Sequence, residues 1–382
     1  MNNEWWLNLT KLDSEQGGIL NLPLDQDHLI LGPPGSGKTN LLLLRANYVS
    51  KVTPNILVVV LGRTLREFLA RGSDQYNFDV EKLKTSSKCF YDLLREYGHT
   101  APDVNVPFDQ VRRELVERAR ALRASLDYPP YDAIFLDEAQ DFLPEEIDVF
   151  RSLSNRIFAV ADSRQQLYTG GSGVSSLQSA CAVHRLRYHY RNGVQICRIA
   201  DSIGKGMASY ERTLPTCRYP EGSLPSFFEW KELDFDGQVA TIVKQLQIQT
   251  KAFPGEMLAV ICPRNSDVDR MGDALSKTAL AEMVVKQSSA DGYSTFDVKV
   301  PICLTTMHGC KGLEFRAVHG AMMDSLKRFP LQRNLIFTLA TRAKTSLAIY
   351  GDPIPPFVKS AILSVSPPET LPSINLAFGG DE

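Results

Sequence analysis

The chain has 382 residues, of which 43% are hydrophobic and 23% charged, with 42 Lys plus Arg against 44 Asp plus Glu for a formal net charge of −2. This composition excludes a disordered scaffold, a coiled coil and a collagen, and the length suggests two or three domains. The balanced charge excludes a histone-like binder of polyanions, although it leaves room for a local basic groove.

Short apolar runs recur along the chain. His28–Leu31, Ile56–Leu61, Ala133–Leu136 and Ile157–Ala161 read as buried parallel strands. Met257–Cys262, Ile302–Thr305, Val318–Met322 and Leu347–Tyr350 form a second set. Helical patterns over Asn40–Val49, Gln110–Leu126 and Gln238–Gln249 lie between them, so the expected class is α/β with parallel sheets in two lobes. Arg212–Phe228, with Pro215, Pro220, Gly222 and Pro225, reads as an irregular connection, and the Pro- and Ser-rich tail after Gly351 as extended. No apolar run reaches the ~18–20 residues of a membrane span, and the N-terminus lacks a signal-peptide pattern; the expected location is cytoplasmic, with no membrane partner. The seven cysteines are scattered and odd in number, and none form C-x-x-C. They read as buried thiols rather than a disulfide framework or a zinc site.

The strongest local signal is Gly32-Pro33-Pro34-Gly35-Ser36-Gly37-Lys38-Thr39, which fits G-x-x-x-x-G-K-[ST]. Gly32, Gly35 and Gly37, with Ser36, let successive backbone N–H groups wrap a phosphate without Cβ clashes. Lys38 adds a point charge for the β- and γ-phosphates, and the Thr39 hydroxyl is a candidate Mg²⁺ ligand. A strand-like run before the loop and a leucine-rich helix after it aim a helix N-terminus at the phosphates. The second signal is an apolar strand ending in Asp137-Glu138-Ala139-Gln140-Asp141, 98 residues after Thr39. Asp137 is positioned to hold Mg²⁺, and Glu138 to orient and deprotonate an attacking water. Together the two signals specify an NTPase that hydrolyses its nucleotide with Mg²⁺, rather than a mere nucleotide binder. A small-molecule kinase has no need of the acidic strand end.

Asp137-Glu138-Ala139-Gln140, followed by Asp141, resembles motif II of the UvrD/Rep-like superfamily 1 helicases, and the family's other main motifs have counterparts in order. Leu12–Gln16 resembles the Q motif, which implies that Gln16 reads the adenine edge; a helix-capping box from Ser14 is the alternative. Gly62–Phe68 is similar to motif Ia, placing Arg63 and Thr64 on nucleic acid. Asp162–Tyr168 resembles motif III, with Gln165 sensing the γ-phosphate and Tyr168 facing nucleic acid. Leu186–Arg191 resembles motif IV, which implies that Tyr190 stacks on the base and Arg191 acts as a γ-phosphate finger. Leu258–Asn265 resembles the next motif, at a strand and turn of the second lobe. Thr306–Phe315 matches motif V, placing Glu314, beside Gly312, on the ribose and Thr306 and His308 on nucleic acid. Phe337–Lys344 resembles motif VI, with Arg342 as the second finger.

The resemblance implies two RecA-like P-loop NTPase lobes with the ATP site in the cleft between them. Residues 1–184 form lobe one, with a small helical insertion at about 70–130, residues 185–352 form lobe two, and 353–382 form the extended tail. It also implies an ATP-driven translocase on single-stranded DNA, or RNA, moving 3′ to 5′ by analogy. The chain departs from the pattern in four ways. The gaps Phe68–Asp137 and Arg191–Thr306 hold only small insertions. Ala161 opens motif III where Gly is usual, and Gly170 stands where a base-stacking aromatic is usual. Motif Ia begins with Gly62 in place of Thr, and His189 replaces a common Asn in motif IV. A second reading is therefore a helicase-like ATPase switch subunit of a nuclease-containing repair or anti-phage complex, with little unwinding of its own.

Overall fold

The structure is a computed structural model and describes residues 12–71, 79–100, 102, 108–162, 173–205, 207, 210–219, 226–287, 300–326, 331–353 and 355–365. Two six-stranded sheets organise it, and every strand pair within them is parallel.

The first sheet comprises β1 (His28–Leu31), β2 (Ile56–Val60), β3 (Leu83–Thr85), β4 (Ala133–Leu136), β5 (Ile157–Ala161) and β6 (Ala182–Arg185), in the order β3-β2-β4-β5-β1-β6. The second comprises β7 (Phe227–Lys231), β8 (Leu258–Cys262), β9 (Val284–Gln287), β10 (Ile302–Thr306), β11 (Phe315–Gly320) and β12 (Ala343–Tyr350), in the order β7-β12-β11-β8-β10-β9. Strands β1, β2, β4, β5 and β8 are buried at every position, as parallel strands covered on both faces must be. Helix α1 (Ser14–Leu20) precedes the first strand, and α2 (Lys38–Ser50) and α3 (Arg63–Arg71) belong to the first sheet's connections. The second sheet is covered by α8 (Val194–Gly204), α9 (Phe235–Ala252), α10 (Asn265–Leu275) and α11 (Leu331–Arg342). Among the described residues no helix is long and apolar enough to cross a membrane.

The insertion expected as helical at about 70–130 is more than that. It contains α4 (Ser86–Glu96) and α5 (Phe108–Ala124), but also β3, which extends the first sheet beyond β2. Val111, Leu115, Val116, Ala119 and Leu122 face inward on α5 and share a core with Phe90 and Leu94 of α4 and with Phe142 and Phe150. The remaining elements of this lobe are α6 (Pro144–Ser152) and α7 (Gly173–Gln178). A buried Glu146 on α6 ties the insertion to the acidic strand end. It pairs with Arg112 of α5 and accepts from Ser86 Oγ at 2.8 Å and from the Leu143 N–H at 2.9 Å. Arg112 also donates to the Asp141 carbonyl at 2.9 Å. Glu146→Ala strands the buried Arg112 charge and is expected to cost about 3–5 kcal/mol, read as a shifted urea midpoint. A shift below ~1 kcal/mol would contradict this hub.

The first part of the tail expected to be extended from 353 instead forms α12 (Pro356–Val365), which packs on α8 and buries Val358 and Ala361; residues 366–382 lie outside the described residues. The strand expected at Val318–Met322 begins earlier, at Phe315. It ends at Gly320 because Met322 turns left-handed at φ 58°.

Candidate nucleotide site and inter-lobe groove

Neighbouring strands of the first sheet bring three loops together. β5 pairs with both β1 and β4, so the carboxyl ends of these strands, at Leu31, Leu136 and Ala161, lie side by side. The Gly32–Thr39 loop, the candidate P-loop, follows β1, the acidic pair follows β4, and Asp162 follows β5. Ligand loops gather at such strand ends in parallel α/β sheets.

Gly35 and Gly37 have φ of +78° and +83°, conformations open to glycine. A Cβ on Gly35 would lie 2.5 Å from the Arg191 Cβ, and one on Gly32 would lie 2.7 Å from the Ser36 Oγ. Lys38 Nζ donates to the Gly32 and Pro33 carbonyls at 2.8 and 2.9 Å, which folds its side chain over the loop. Ser36 Oγ is buried without a hydrogen-bond partner. Thr39 Oγ1 donates to the Asp137 carboxylate at 3.0 and 3.2 Å, so the two expected Mg²⁺ ligands already converge.

Glu138 adopts φ 53°, ψ 44°, a left-handed conformation that costs a side-chain-bearing residue ~1–3 kcal/mol and that clusters at functional sites. Gln140 Nε2 donates to its carboxylate, while Gln140 Oε1 accepts from the Asp162 N–H at 2.9 Å. Gln140 therefore couples the Glu138 carboxylate to the start of the 162–168 motif. The two adjacent acids are pushed apart electrostatically. Burial, then the Glu138 charge, raises the Asp137 pKa. Burial also pushes Glu138 up, but Lys311, Lys38, Arg342 and the Gln140 hydrogen bond outweigh it and hold this carboxyl below its ordinary value.

Residues of the second sheet close the site. Arg191 pairs with the Glu314 carboxylate and donates to the Thr341 carbonyl at 3.3 Å; Lys344 stands 3.8 Å from the same carboxylate. Burial opposes the Glu314 charge, but Arg191 and Lys344 overcome it and lower its pKa. Arg342 is buried at the end of α11 and donates to the Thr338 carbonyl at 3.3 Å and to the Leu313 carbonyl at 3.2 Å. Burial first, then the like charge of Arg191, lowers its pKa. Lys38, Thr39, Glu138, Arg191, Gly312, Glu314 and Arg342 line one tight pocket of about 30 Å³.

Gln16 occupies a helix-capping box, one of the two places expected for it. Its Oε1 accepts from the Asp13 N–H at 3.2 Å, and its N–H donates to Asp13 Oδ1 at 2.8 Å, a capping box whose N-cap is Asp13 rather than Ser14. Its Nε2 donates to the Ser36 carbonyl at 3.0 Å, so the amide ties α1 to the P-loop. The Tyr190 hydroxyl donates to the Asp13 carboxylate, and the Tyr190 N–H to the Gly35 carbonyl at 3.0 Å. Gln165 and Tyr168 lie outside the described residues.

A larger cavity of about 580 Å³ lies between the sheets, and Glu138 lines both it and the tight pocket. Arg63, Thr64, Thr306 and His308, four of the five residues expected on nucleic acid, line it with Arg264 and Lys311; the fifth, Tyr168, lies outside the described residues. Arg63 and His308 are exposed, whereas Thr64 is buried. Lys311 forms an ion pair with the buried Asp141 across the two lobes, a contact no local motif spacing reveals. Beside it, Gly312 sits at φ +79°, and a Cβ there would lie 2.6 Å from Leu65 of α3. Gly312→Ala is expected to destabilise the chain by about 1–3 kcal/mol in chemical denaturation. An unchanged midpoint would mean that the lobes do not press together at this point.

Comparison with known proteins places these elements. A model of the UvrD-like helicase C-terminal domain matches residues 301–350, from β10 through motif V to β12. F-box DNA helicase 1 of Gallus gallus is 35% identical over 75 residues, which cover 19% of this chain and 7% of that protein. The chain thus aligns with only a small part of that relative's length. A solved C-terminal domain of a possible DNA helicase from Lactobacillus plantarum WCFS1 is 20% identical, with a TM-score of 0.34, and the match covers 46% of this chain and 96% of that one. The segment from β10 to β12 is thus similar to the C-terminal domain of UvrD-like helicases, in agreement with the resemblance of the ordered motifs to that group.

Proposed function

We propose that the chain is an ATP-driven motor on single-stranded nucleic acid, with its ATP site between two RecA-like lobes. The observation that carries the reading is that residues from both lobes converge on the glycine-rich loop: Glu138 from the first, Arg342 and Glu314 from the second and Arg191 between them line one pocket with Lys38 and Thr39, and Asp137 accepts from Thr39 beside it. The donor set fits magnesium: a hydroxyl and a carboxylate at a helix N-terminus, beneath glycines that a Cβ would obstruct. Bound there, Mg²⁺ would neutralise charge on the β- and γ-phosphates.

The chain's own groups perform the remaining work. The backbone N–H groups at the start of α2 bind phosphate. Lys38 leaves the Gly32 and Pro33 carbonyls to reach the phosphates, and Arg191 exchanges the Glu314 carboxylate for the γ-phosphate, which also frees Glu314 for the ribose. Glu138, held ionised by nearby cations and aimed by Gln140, takes the proton of the attacking water. Arg342 stabilises charge in the transition state from the opposite lobe, so turnover requires closure.

The cavity lined by Arg63, Thr64, Thr306 and His308 is the proposed path of the strand, with 3′-to-5′ movement by analogy. Its charged lining of Arg63, Arg264 and Lys311 against Glu138 and Asp141 predicts weak, salt-sensitive binding. The modest charge and the Gly170 substitution favour a second reading, an ATPase switch that relies on a partner such as a nuclease subunit for grip.

The deciding measurement is ATP hydrolysis at low salt with and without single-stranded DNA or RNA, with Lys38→Ala as the background. Stimulation by a polymer is expected in the parent and absent in Lys38→Ala; a parent rate that neither polymer changes would count against the motor.

A further inference from the structure

Outside the nucleotide pocket, one group of side chains has the makings of a metal centre. His189, Cys197 and Cys217 place their ligand atoms within 4.8 Å of one another, the one such group among the described residues. They come from three segments: the strand-like stretch before Arg191, the second turn of α8, and the chain after a short 3₁₀ turn at Leu214–Thr216. A two-residue parallel bridge holds the outer segments together, with the His189 N–H donating to the Thr216 carbonyl at 3.1 Å and the Arg218 N–H to the His189 carbonyl at 2.8 Å. His189 and Cys197 are buried, whereas Cys217 is half-buried and gives the group a side open to solvent.

We propose that His189, Cys197 and Cys217 bind a thiophilic d¹⁰ cation, Zn²⁺ in the reduced protein. Two thiolates and an imidazole are a zinc donor set. With Zn–S near ~2.3 Å and Zn–N near ~2.0 Å, a tetrahedral ion needs ligand atoms ~3.5–3.8 Å apart. Cys197 Sγ and His189 Nε2 are 3.9 Å apart, so only a small contraction is required. Carbonyl oxygens already face the group: the Asn192 oxygen accepts from Cys197 Sγ at 3.5 Å and from Cys217 Sγ at 3.3 Å, and the Thr213 oxygen lies 3.0 Å from His189 Nε2. On binding, one Zn²⁺ replaces the two thiol protons, which pass to solvent, and the imidazole gives up the Nε2–H hydrogen bond to the Thr213 carbonyl, its proton moving to Nδ1 so that Nε2 can ligate. The fourth position falls to water or to the Asn192 carbonyl. Asn192 is itself pinned, its Nδ2 donating to the Thr341 and Ala343 carbonyls at 3.0 and 2.7 Å. The ion would therefore brace the segment that carries Arg191 against the β12 side of the second lobe. This proposal does not depend on what the nucleotide site does.

The test uses the full chain, reduced and stripped with a chelator, then titrated with Zn²⁺ against a chromophoric chelator and separately with Co²⁺. One ion per chain, a thiolate-to-cobalt charge-transfer band and proton release on binding are the expected results. Cys217→Ser should lose stoichiometric binding and the band. Cys181→Ser, a thiol outside the group, should keep both. Because Cys217 is half-buried, its variant is the primary one, and its far-ultraviolet circular dichroism should match that of the parent. Zn²⁺ should raise the melting temperature of the parent and of Cys181→Ser but not of Cys217→Ser. A parent without the band, a band that survives Cys217→Ser, or Cys197 and Cys217 recovered as a disulfide despite reductant and zinc would each overturn the proposal.

Discussion

Arg342→Ala is expected to lower ATP turnover by about 10³–10⁵-fold while leaving ATP affinity within a few-fold of the parent. The argument rests on where the guanidinium sits. Arg342 is buried at the end of α11, anchored on the Thr338 and Leu313 carbonyls, and lines the pocket from the lobe opposite the P-loop. Arg191, in the same pocket, is paired with Glu314 and packed on Gly35, so it is the arginine better placed to meet the nucleotide first. A group brought to the reacting phosphate mainly when the cleft closes contributes chiefly to the transition state, so its loss falls on kcat. Single-turnover hydrolysis beside nucleotide-binding titrations separates the two effects. A variant that binds ATP poorly yet turns over normally at saturation would remove Arg342 from the role of finger.

Glu138→Gln is expected to slow hydrolysis by about 10²–10⁴-fold and to leave a chain that binds and retains ATP. Gln keeps the shape of the side chain and its place near Gln140 but cannot accept a proton from water. The left-handed backbone at Glu138 is a further reason to expect a local role, because its cost is tolerated for the placement of one side chain. Trapped nucleotide after rapid gel filtration, combined with a phosphate-release assay, reads both halves of the prediction. Hydrolysis at the parent rate would assign the base elsewhere. Lys38→Ala should give the opposite pattern, with loss of nucleotide binding itself.

The glycine-rich loop and the acidic strand end were legible as candidates in the chain because each is written in contiguous letters. A phosphate loop must put glycines, a lysine and a hydroxyl within a few residues of one another, and an acidic pair must follow an apolar strand, so local order suffices to find them. The interior strands were legible for a similar reason. β1, β2, β4, β5 and β8 are buried along their whole length and read as unbroken apolar runs. The four strands that escaped notice, β3, β6, β7 and β9, are the four sheet edges. An edge strand has one neighbour and is partly exposed, so its side chains mix polar with apolar and no run marks it. Helix α12 was hidden by the Pro and Ser residues around it, and its apolar face acquires meaning only against α8.

The sequence by itself thus determined the α/β class, the interior strands and the placement of the glycine-rich and acidic motifs at strand ends, because each depends on neighbours along the chain. Only the tertiary structure decided what those motifs touch. Gln16 is held in a capping box and against Ser36, Arg191 is paired with Glu314, and Lys311 reaches Asp141. His189, Cys197 and Cys217, unremarkable in spacing, meet around one point because a parallel bridge and a helix turn bring them there. Ion pairs and metal donor sets form between atoms a few ångströms apart in space, and separation along a chain that crosses between two sheets says little about that distance.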